Sequence, residues 1–384
     1  MVIGRTFARA GVAVVLVAAT MVGVDAPAGA TPAWTLVGTA AGAAYGEIAA
    51  VSCPTSTVCV AVGTADRPHS VGLLAERWDG STWMTMATPN PTGAISSQFT
   101  GVACTSTTSC IAVGQYNTPA TVTKTLAMRW DGKHWSILSS PNAPGSAVSV
   151  LAGVACASPT SCFAVGGDFV TTSDTTSELT LVEQWNGTTW SIVTSPNQTF
   201  AVDSSLTSVA CPTAAVCVAV GSYDTQLVTS TLTEQWNGST WSIVASANPS
   251  GPDSQLSGVT CTSTSNCVAV GVGHGTLVER WNGTTWAIVT SVNPTGATSA
   301  SLTGVSCPSA THCVAVGTIF RQTVRQRLVE TYNGTRWSLV TVPVPSGTKV
   351  SGLNGVSCET TSSCFAAGDF GLGPSLRPLF ERYS

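Results

Sequence analysis

The chain has 384 residues, with 14 Cys, 12 Trp and 37 Gly but only 15 Lys+Arg and 19 Asp+Glu. A formal net charge of −4, with no extended basic stretch along the chain, argues against a nucleic-acid-binding surface. Cysteines in such numbers persist as disulfides only in an oxidising compartment. The composition therefore favours an extracellular protein and argues against a cytosolic thiol enzyme.

The first 30 residues have the pattern of a secretory signal peptide. Arg5 and Arg9 form a basic start, residues 10–24 are apolar or small, and Ala28-Gly29-Ala30 ends the segment with residues that signal peptidase accepts. A retained anchor is the alternative, but the apolar run of about 15 residues is shorter than the roughly 20 that span a bilayer. We expect cleavage after Ala30, one domain at residues 31–384, no membrane span after cleavage, and a secreted monomer.

From residue 53 onward the chain repeats one unit about every 50 residues. Each unit has a C-x5-C pair, an apolar run that ends in glycine, a variable stretch, Leu-x-Glu-x-Trp, an Asn-Gly or Asp-Gly dipeptide and a second Trp, as in residues 261–289. The cysteine pairs are Cys53/Cys59, Cys104/Cys110, Cys156/Cys162, Cys211/Cys217, Cys261/Cys267, Cys307/Cys313 and Cys358/Cys364. A period of this length predicts a repeat architecture rather than several domains.

Each unit divides into four short strands, which we call A to D. Strand A is typified by residues 302–307, strand B runs from the second cysteine to the glycine, strand C is Leu-x-Glu-x-Trp, and strand D begins at the second Trp. Five or six residues rich in Val, Thr and Trp predict strands rather than helices. Asn-Gly and Asp-Gly tolerate the positive φ of tight hairpins, so C and D are expected to be antiparallel neighbours.

The two ends of the repeat array predict how it closes. The last unit supplies residues 379–383 as strand C and then stops, whereas Trp34–Val37 has the pattern of a strand D with no strand C before it. A ring in which the first strand completes the last blade satisfies both, and an open solenoid does not. The predicted fold is all-β, a seven-bladed β-propeller with four antiparallel strands per blade and an N-terminal strand that closes the last blade.

The repeat also resembles a known family. The apolar strand Val218–Gly221, the later Glu-x-aromatic segment Glu234–Trp236 and the Trp241 that opens the last strand resemble the kelch repeat of galactose oxidase-like propellers. The turn Asn237-Gly238 also looks like the Asp-box of sialidase-type propellers, but one residue shorter. A kelch double glycine occurs only at Gly166-Gly167, and neither family has the C-x5-C pairs. The resemblance implies a propeller fold and carries no activity.

The repeated polar residues are expected to be structural. Opposite positions on strands A and B bring each cysteine pair into disulfide range, whereas zinc sites need two convergent pairs, so we expect seven disulfides, no metal and no cofactor. Tryptophans are expected to pack between blades. A glutamate on strand C is expected to be a hydrogen-bonded spacer in six units, with Met128 in the other. These glutamates are Glu76, Glu183, Glu234, Glu279, Glu330 and Glu381.

Variation gathers in the B–C and D–A connections, which share one end of the predicted ring. Loops on a rigid scaffold are the usual place for binding residues, and aromatic side chains beside carboxylates suit a sugar or a peptide. Arg321, Arg325 and Arg327 add an unusual basic cluster. The candidate ligand-binding residues are Tyr116, Asp168, Phe169, Tyr223, Asp224, His274, Phe320, Arg321, Asp369 and Phe370. The alternative is that these side chains only cover the blade ends.

The inventory of reactive side chains favours binding over catalysis. All cysteines are assigned, the four histidines fall in different units, and no nucleophile motif, phosphate loop or HExxH sequence is present. We therefore expect a non-enzymatic extracellular module for a carbohydrate or protein ligand. One alternative is a glycoside hydrolase or lyase in which Asp168, Asp224 and Asp369 converge over the channel. A purely structural adhesin component is a third.

Overall fold

The computed structural model describes residues 32–38, 45–67, 70–171, 175–249, 253–373 and 375–384. Residues Ala33–Ser384 belong to one compact unit. The predicted signal peptide, residues 1–30, lies outside the described residues. Within the described ranges every regular element is a β-strand. Those ranges contain no helix with the length and apolar character needed to cross a membrane.

The described chain contains 28 strands. The first thirteen are β1 (Trp34–Val37), β2 (Gly46–Thr55), β3 (Val58–Arg67), β4 (Ser70–Trp78), β5 (Trp83–Thr85), β6 (Ser96–Ser106), β7 (Ser109–Asn117), β8 (Thr123–Trp130), β9 (Trp135–Leu138), β10 (Val148–Ser158), β11 (Ser161–Thr171), β12 (Thr176–Trp185) and β13 (Trp190–Ile192). The others are β14 (Asp203–Thr213), β15 (Val216–Asp224), β16 (Thr229–Trp236), β17 (Trp241–Val244), β18 (Gln255–Ser263), β19 (Asn266–Gly273), β20 (Gly275–Trp281), β21 (Trp286–Ile288), β22 (Ser299–Ser309), β23 (His312–Arg321), β24 (Val324–Tyr332), β25 (Trp337–Leu339), β26 (Val350–Thr360), β27 (Ser363–Gly371) and β28 (Leu376–Tyr383).

The strands follow one another in antiparallel sets of four, which we number in chain order. Set 1 is β2–β5, set 2 is β6–β9, and so on to set 6, β22–β25; set 7 is β26–β28 together with β1. Five sets are separate four-stranded sheets. Sets 2 and 3 form one eight-stranded sheet, joined by the single parallel pair of Thr123 and Val148. The molecule is therefore an all-β array of repeated four-stranded sheets.

Strand β1 completes set 7, as the two chain ends predict. It pairs antiparallel with β28 from Trp34 opposite Tyr383 to Val37 opposite Phe380. The first strand of each set packs beside the first strand of the next, and β26 packs beside β2. The sets therefore close into a ring, and the predicted pairing of β1 with the last strand is confirmed.

The strands differ in length from the expected five or six residues. Strands A to C have 7 to 11 residues, while strand D has only 3 or 4. Strands B and C keep pairing beyond the glycine, as from Gly166 opposite Leu181 to Thr171 opposite Thr176, because the Val- and Thr-rich variable segments suit a pleated backbone. The prediction that these segments are loops is wrong for most of their length, since only their tips are turns.

The glycine that ends each apolar run is required by a bulge in strand A. In set 4 the register shifts between Leu206 and Ser208, and a Cβ at Gly221 would collide with the Ser205 carbonyl oxygen. The same close approach to strand A occurs in every set. The glycines are Gly63, Gly114, Gly166, Gly221, Gly271, Gly317 and Gly368. A residue without a side chain is the only one that fits there without moving the backbone.

The hydrophobic core lies between neighbouring sets. One cluster joins Phe163 and Val182 of set 3 to Trp236 and Trp241 of set 4, and the Phe163 and Trp241 rings meet edge to face at 5.2 Å. Across the closure, Trp83 of set 1 stacks on Phe380 of set 7 at 4.0 Å. The predicted role of the tryptophans in packing is therefore confirmed.

All seven predicted disulfides are present, with Cα atoms 4.0 to 4.1 Å apart. Cys104 and Cys110 are direct cross-strand partners, and the strands continue to Ser106 opposite Ser109. The turn between A and B is thus tighter than the five-residue turn that the spacing suggests. Each disulfide cross-links the two innermost strands of its set.

The two cysteines of each pair differ in burial. The first cysteine, on strand A, is half-buried, whereas the second, on strand B, is at most 1% exposed and belongs to a hydrophobic cluster. The buried cysteines are Cys59, Cys110, Cys162, Cys217, Cys267, Cys313 and Cys364. Their position in the core agrees with the structural role expected of the disulfides. They are core residues and not part of a functional site.

Four strand C glutamates are buried and hydrogen-bonded by the preceding set. The Ser195 hydroxyl donates to Glu234 at 2.8 Å, and the Ser140 hydroxyl donates to Glu183 at 2.8 Å. The Ser246 and Ser291 hydroxyls donate to Glu279 and Glu330 in the same way. Burial raises the pKa of Glu183 to about 8 and that of Glu234 to about 7, against the serine hydrogen bond. The predicted hydrogen-bonded spacers are confirmed at these four positions.

The other two strand C glutamates, Glu76 and Glu381, have no serine donor among the described residues. Glu76 is buried with no hydrogen-bond partner among the described residues, and burial raises its pKa to about 7. Glu381 lies beside Arg327 rather than a serine. Thr39, which holds the sequence position equivalent to the donor serines, lies outside the described residues, so the hydrogen bond at Glu76 stays a prediction. At Glu381 an ion pair takes the place of the predicted hydrogen bond.

Candidate functional site

The two ends of the ring differ in how uniform they are. One end carries the disulfide hairpins and the C–D turns, where Asn237 accepts hydrogen bonds from the Ser239 and Thr240 amides. Asp79 takes the same role in set 1, and hydrogen bonds from the Thr82 and Ser81 amides lower its pKa to about 2. These repeated turns account for the Asn-Gly and Asp-Gly dipeptides. The opposite end, which we call the variable end, contains the B–C and D–A connections.

The predicted ligand residues lie at the variable end, mostly within strands rather than on loops. Because side chains alternate along a strand, Asp168 is buried while its neighbour Phe169 is half-buried. Tyr116, Tyr223 and Phe370 are partly buried and pack against the clusters between sets. The exposed members of the predicted group are His274, Phe320 and Arg321.

The three aspartates of the hydrolase alternative are held separately. Asp168 accepts a hydrogen bond from the Ser149 hydroxyl at 3.0 Å. Asp224 accepts one from the Thr229 hydroxyl at 2.9 Å within its own hairpin. Asp369 forms an ion pair with Arg325. The structure gives each aspartate a different partner and does not bring the three together.

The central channel contains a cavity of about 230 Å³ with no charged residue in its lining. Each set contributes three consecutive residues of strand A. These are residues 49–51, 100–102, 152–154, 207–209, 257–259, 303–305 and 354–356. The Thr303 hydroxyl donates to the Leu353 carbonyl at 2.8 Å, and the Asn354 amide donates to the Ile48 carbonyl at 2.8 Å. These polar side chains link neighbouring sets, and none of the ten predicted ligand residues lines this cavity.

A second cavity, of about 360 Å³, lies at the variable end where set 6 meets set 7. We call it the basic cleft. Four of its lining residues are cationic, namely Arg321, Arg325, Arg327 and Lys349. Its apolar lining is aliphatic and comes from Ile319, Val324, Val340, Val342 and Val344. Of the ten predicted ligand residues, only Arg321 lines this cleft.

Two of the four cations in the basic cleft are neutralised. Arg325, with a side chain 26% exposed, pairs with the fully buried Asp369, and Arg327 Nε lies 3.1 Å from Glu381 Oε1. Burial raises the pKa of Asp369 and that of Glu381, to about 7 for Glu381, and the arginine beside each opposes the rise. Arg321 and Lys349 are exposed and have no salt bridge to any residue in the described ranges.

Sequence reasoning missed two residues that shape the basic cleft. Lys349 is the only Lys or Arg in the connections that follow strand D, and that isolation is a signal the sequence does contain. Gly352 lies beneath Arg325, and a Cβ there would come within 3.3 Å of Arg325 Cζ and 3.2 Å of Thr318 Oγ1. The absent side chain at Gly352 leaves the space in which Arg325 reaches Asp369.

No group of three or more His, Cys, Asp or Glu side chains that could hold a metal ion is found among the residues that the structure describes. The basic cleft offers cationic donors and carbonyl oxygens rather than a ligand set for a metal. What its geometry can do is bind an anionic group next to an aliphatic one.

Comparison with known proteins establishes the fold alone. No protein-family model and no curated protein sequence matches the chain. A solved structure described as YCF48 bound to D1 peptide is 14% identical, with a TM-score of 0.54, over 91% of this chain and 96% of the other. YCF48 from Cyanidioschyzon merolae is also 14% identical, with a TM-score of 0.55, over 91% and 98%. The chain thus has a β-propeller fold like that of the YCF48 structures, and no comparison supports the kelch resemblance.

Proposed function

We propose that the protein is a secreted, non-enzymatic binding propeller that holds a segment of an extracellular polypeptide in the basic cleft. In this proposal each of the seven strand sets is one blade, the signal peptide is removed after Ala30, and residues 31–384 act as a single monomeric domain. Seven disulfides in the described chain favour an oxidising, extracellular environment.

The observation that carries this proposal is the pair of unneutralised cations at the cleft. Arg321 and Lys349 have no salt-bridge partner among the described residues and flank an aliphatic surface that includes Val324 and Val342. Carboxylate side chains would meet the cations, and aliphatic side chains would cover the valines. One of the similar propellers is described with a bound peptide, which is consistent with a polypeptide ligand.

A polypeptide fits the basic cleft better than a carbohydrate does. Sugar rings are typically held by stacking on aromatic faces, and the lining contains no Phe, Tyr or Trp. The exposed Phe320 does not line it. The hydrolase alternative gains no supporting observation, since Asp168, Asp224 and Asp369 are bonded to separate partners.

A direct test measures binding of two fluorescein-labelled ten-residue peptides, one alternating Glu with Val and the other alternating Lys with Val. We expect the acidic peptide to bind in an anisotropy titration, and an excess of unlabelled basic peptide not to displace it from the basic cleft. The affinity of the acidic peptide should fall at least tenfold in the variant R321S/K349S, because two charge-assisted contacts are lost. Binding should also weaken between 50 and 200 mM salt.

Arg336→Ser is the matched control for that titration. Arg336 is exposed on the C–D turn of set 6, at the opposite end of the ring, so its loss makes the same kind of change in charge away from the cleft. The proposal is wrong if R336S weakens binding as much as R321S/K349S does, or if the acidic peptide does not bind.

A further inference from the structure

One turn between strand sets breaks a rule that the others obey. Five described D–A connections contain a turn closed by a bond from the fourth amide to the first carbonyl, as from Ala94 to Pro91. In four of them the third residue is glycine with positive φ. These are Gly93 (77°), Gly145 (81°), Gly296 (77°) and Gly347 (77°). In the turn from set 3 to set 4 the same position is Phe200, with φ 69°.

Phe200 destabilises the fold in two ways, and its side chain does not pack against the rest of the chain. A bulky residue at positive φ is a backbone outlier, and such strain persists mainly where it serves a function. The side chain is also 90% exposed, so its hydrophobic surface gains nothing from the fold. Glycine at the four equivalent positions shows that the turn itself does not require an aromatic residue.

A second exposed apolar tip lies on the adjoining connection of set 4. Leu227, between β15 and β16, is 88% exposed and follows Gln226, which also has positive φ, 72°. The next most exposed large apolar side chain in the described ranges is Val344, at 62%. Phe200 and Leu227 are therefore the two outliers in exposure, and both are on strained turns.

Asp224 connects the two tips to each other. The Val202 amide, two residues after Phe200, donates to the Asp224 carbonyl at 2.8 Å. The Asp224 carboxylate accepts from the Thr229 hydroxyl at 2.9 Å, which closes the hairpin that carries Leu227. Asp224, predicted as a ligand residue, is thus a positioning residue for a pair of tips that we call the apolar bracket, Phe200 and Leu227.

The charge around the apolar bracket selects the kind of partner. No Lys or Arg occurs between residues 135 and 279. Asp203 lies opposite Asp224 on the neighbouring strand, and Asp253 accepts from the Thr229 amide. Carboxylates at this position would be repelled by anionic lipid headgroups, whereas they would attract the basic rim of a protein interface.

We propose that the apolar bracket is a second binding surface, which inserts Phe200 and Leu227 into apolar pockets of a protein partner whose rim carries Lys or Arg. An exposed aromatic anchor is typical of protein interfaces, and the carboxylates around it provide charges complementary to a basic partner. This surface is separate from the basic cleft, which is on sets 6 and 7.

The test selects binders to the full chain from a phage-displayed library of disulfide-cyclised twelve-residue peptides. We expect selected peptides to combine Lys or Arg with apolar residues. Their affinity should fall at least tenfold for F200G and for L227S and stay unchanged for R321S, an alteration of the basic cleft. Because F200G installs the residue of the four equivalent turns, its melting temperature should be equal to or about 1 to 2 °C above that of the parent.

Four results overturn the proposal: no peptide that depends on the bracket, selected peptides without basic residues, equal binding to F200G, or tip-dependent binding to membranes. The last is measured by flotation with vesicles of phosphatidylcholine alone and of phosphatidylcholine with phosphatidylserine. Vesicle binding that is lost in F200G would assign the tips to a lipid surface instead.

Discussion

Sets 3 to 5 and sets 6 to 7 have the same backbone but opposite charge. Sets 3 to 5 contain one Lys or Arg, Arg280 on β20, whereas sets 6 and 7 contain seven. Sets 3 to 5 present carboxylates and the apolar bracket at the variable end, and sets 6 and 7 present the basic cleft. The contrast shows that the repeat determines where side chains lie, while individual substitutions determine what each part of the rim can bind.

The buried strand C glutamate has a neutral partner in sets 3 to 6 and a cationic partner in set 7. In sets 3 to 6 a serine hydroxyl of the preceding set bonds each glutamate. For set 7 the equivalent serine position is Val342, and Arg327 binds Glu381 instead. Set 7 thus has a guanidinium where sets 3 to 6 have a serine hydroxyl, and that guanidinium lines the basic cleft.

The largest expected effect on stability comes from removing the ion pair between Arg327 and Glu381. Arg327→Met leaves Glu381 buried without its cation, so we expect the free energy of unfolding at pH 8 to fall by about 3 kcal/mol. At pH 5 the loss should be smaller, because Glu381 can then be protonated. Urea unfolding at both pH values measures this difference, and an equal loss at both would show that Arg327 acts by packing alone.

The pH dependence of stability in the unaltered protein should show that the serine-bonded glutamates are protonated in the native state. Glu183 and Glu234 have native pKa values of about 8 and 7, above the unfolded value, so the native state holds more protons from pH 4.5 to 8. The contribution of these two glutamates to stability is therefore complete below pH 4.5 and is lost as pH rises through their native pKa values. We expect these two glutamates to account for a loss of about 3 kcal/mol between pH 6.5 and 8.5.

That window is chosen to isolate the glutamates. Burial lowers the pKa of His312, so its contribution is lost only below pH 6.5, and the lowered pKa of Asp79 acts at still lower pH. Glu234→Gln should reduce the pH slope, whereas R327M should increase it. If the free energy of unfolding is constant or rises from pH 6.5 to 8.5, the buried glutamates are not protonated in the native state.

The smallest expected effect is the loss of a single serine donor. Ser195→Ala removes the hydroxyl that bonds Glu234, and we expect the free energy of unfolding to fall by about 1 kcal/mol. Ser191→Ala is a matched control, since Ser191 is exposed on strand β13, four residues before Ser195. If both variants lose the same amount, the contact between Ser195 and Glu234 does not stabilise the ring.

The repeated features could be predicted from the sequence, and the individual ones could not. A constant C-x5-C spacing and the lone strand Trp34–Val37 were enough for the disulfides and the closure, because each follows from strand pairing. The basic cleft was only half predicted, since Arg321 and Arg325 stand out in the sequence but Gly352 acts through an absent side chain. Phe200 stands where four other connections have glycine, which the sequence does show, whereas its exposure depends on the folded turn.

The central claim, that the basic cleft is where a polypeptide binds, is tested most directly by photo-crosslinking. The acidic Glu-Val peptide would carry a benzoylphenylalanine, and crosslinked residues would be identified by mass spectrometry. The account predicts crosslinks in residues 319–327 and 340–351, which line the cleft, and their loss in R321S/K349S. Crosslinks that instead map to sets 3 to 5, or to the neutral central channel, would contradict it.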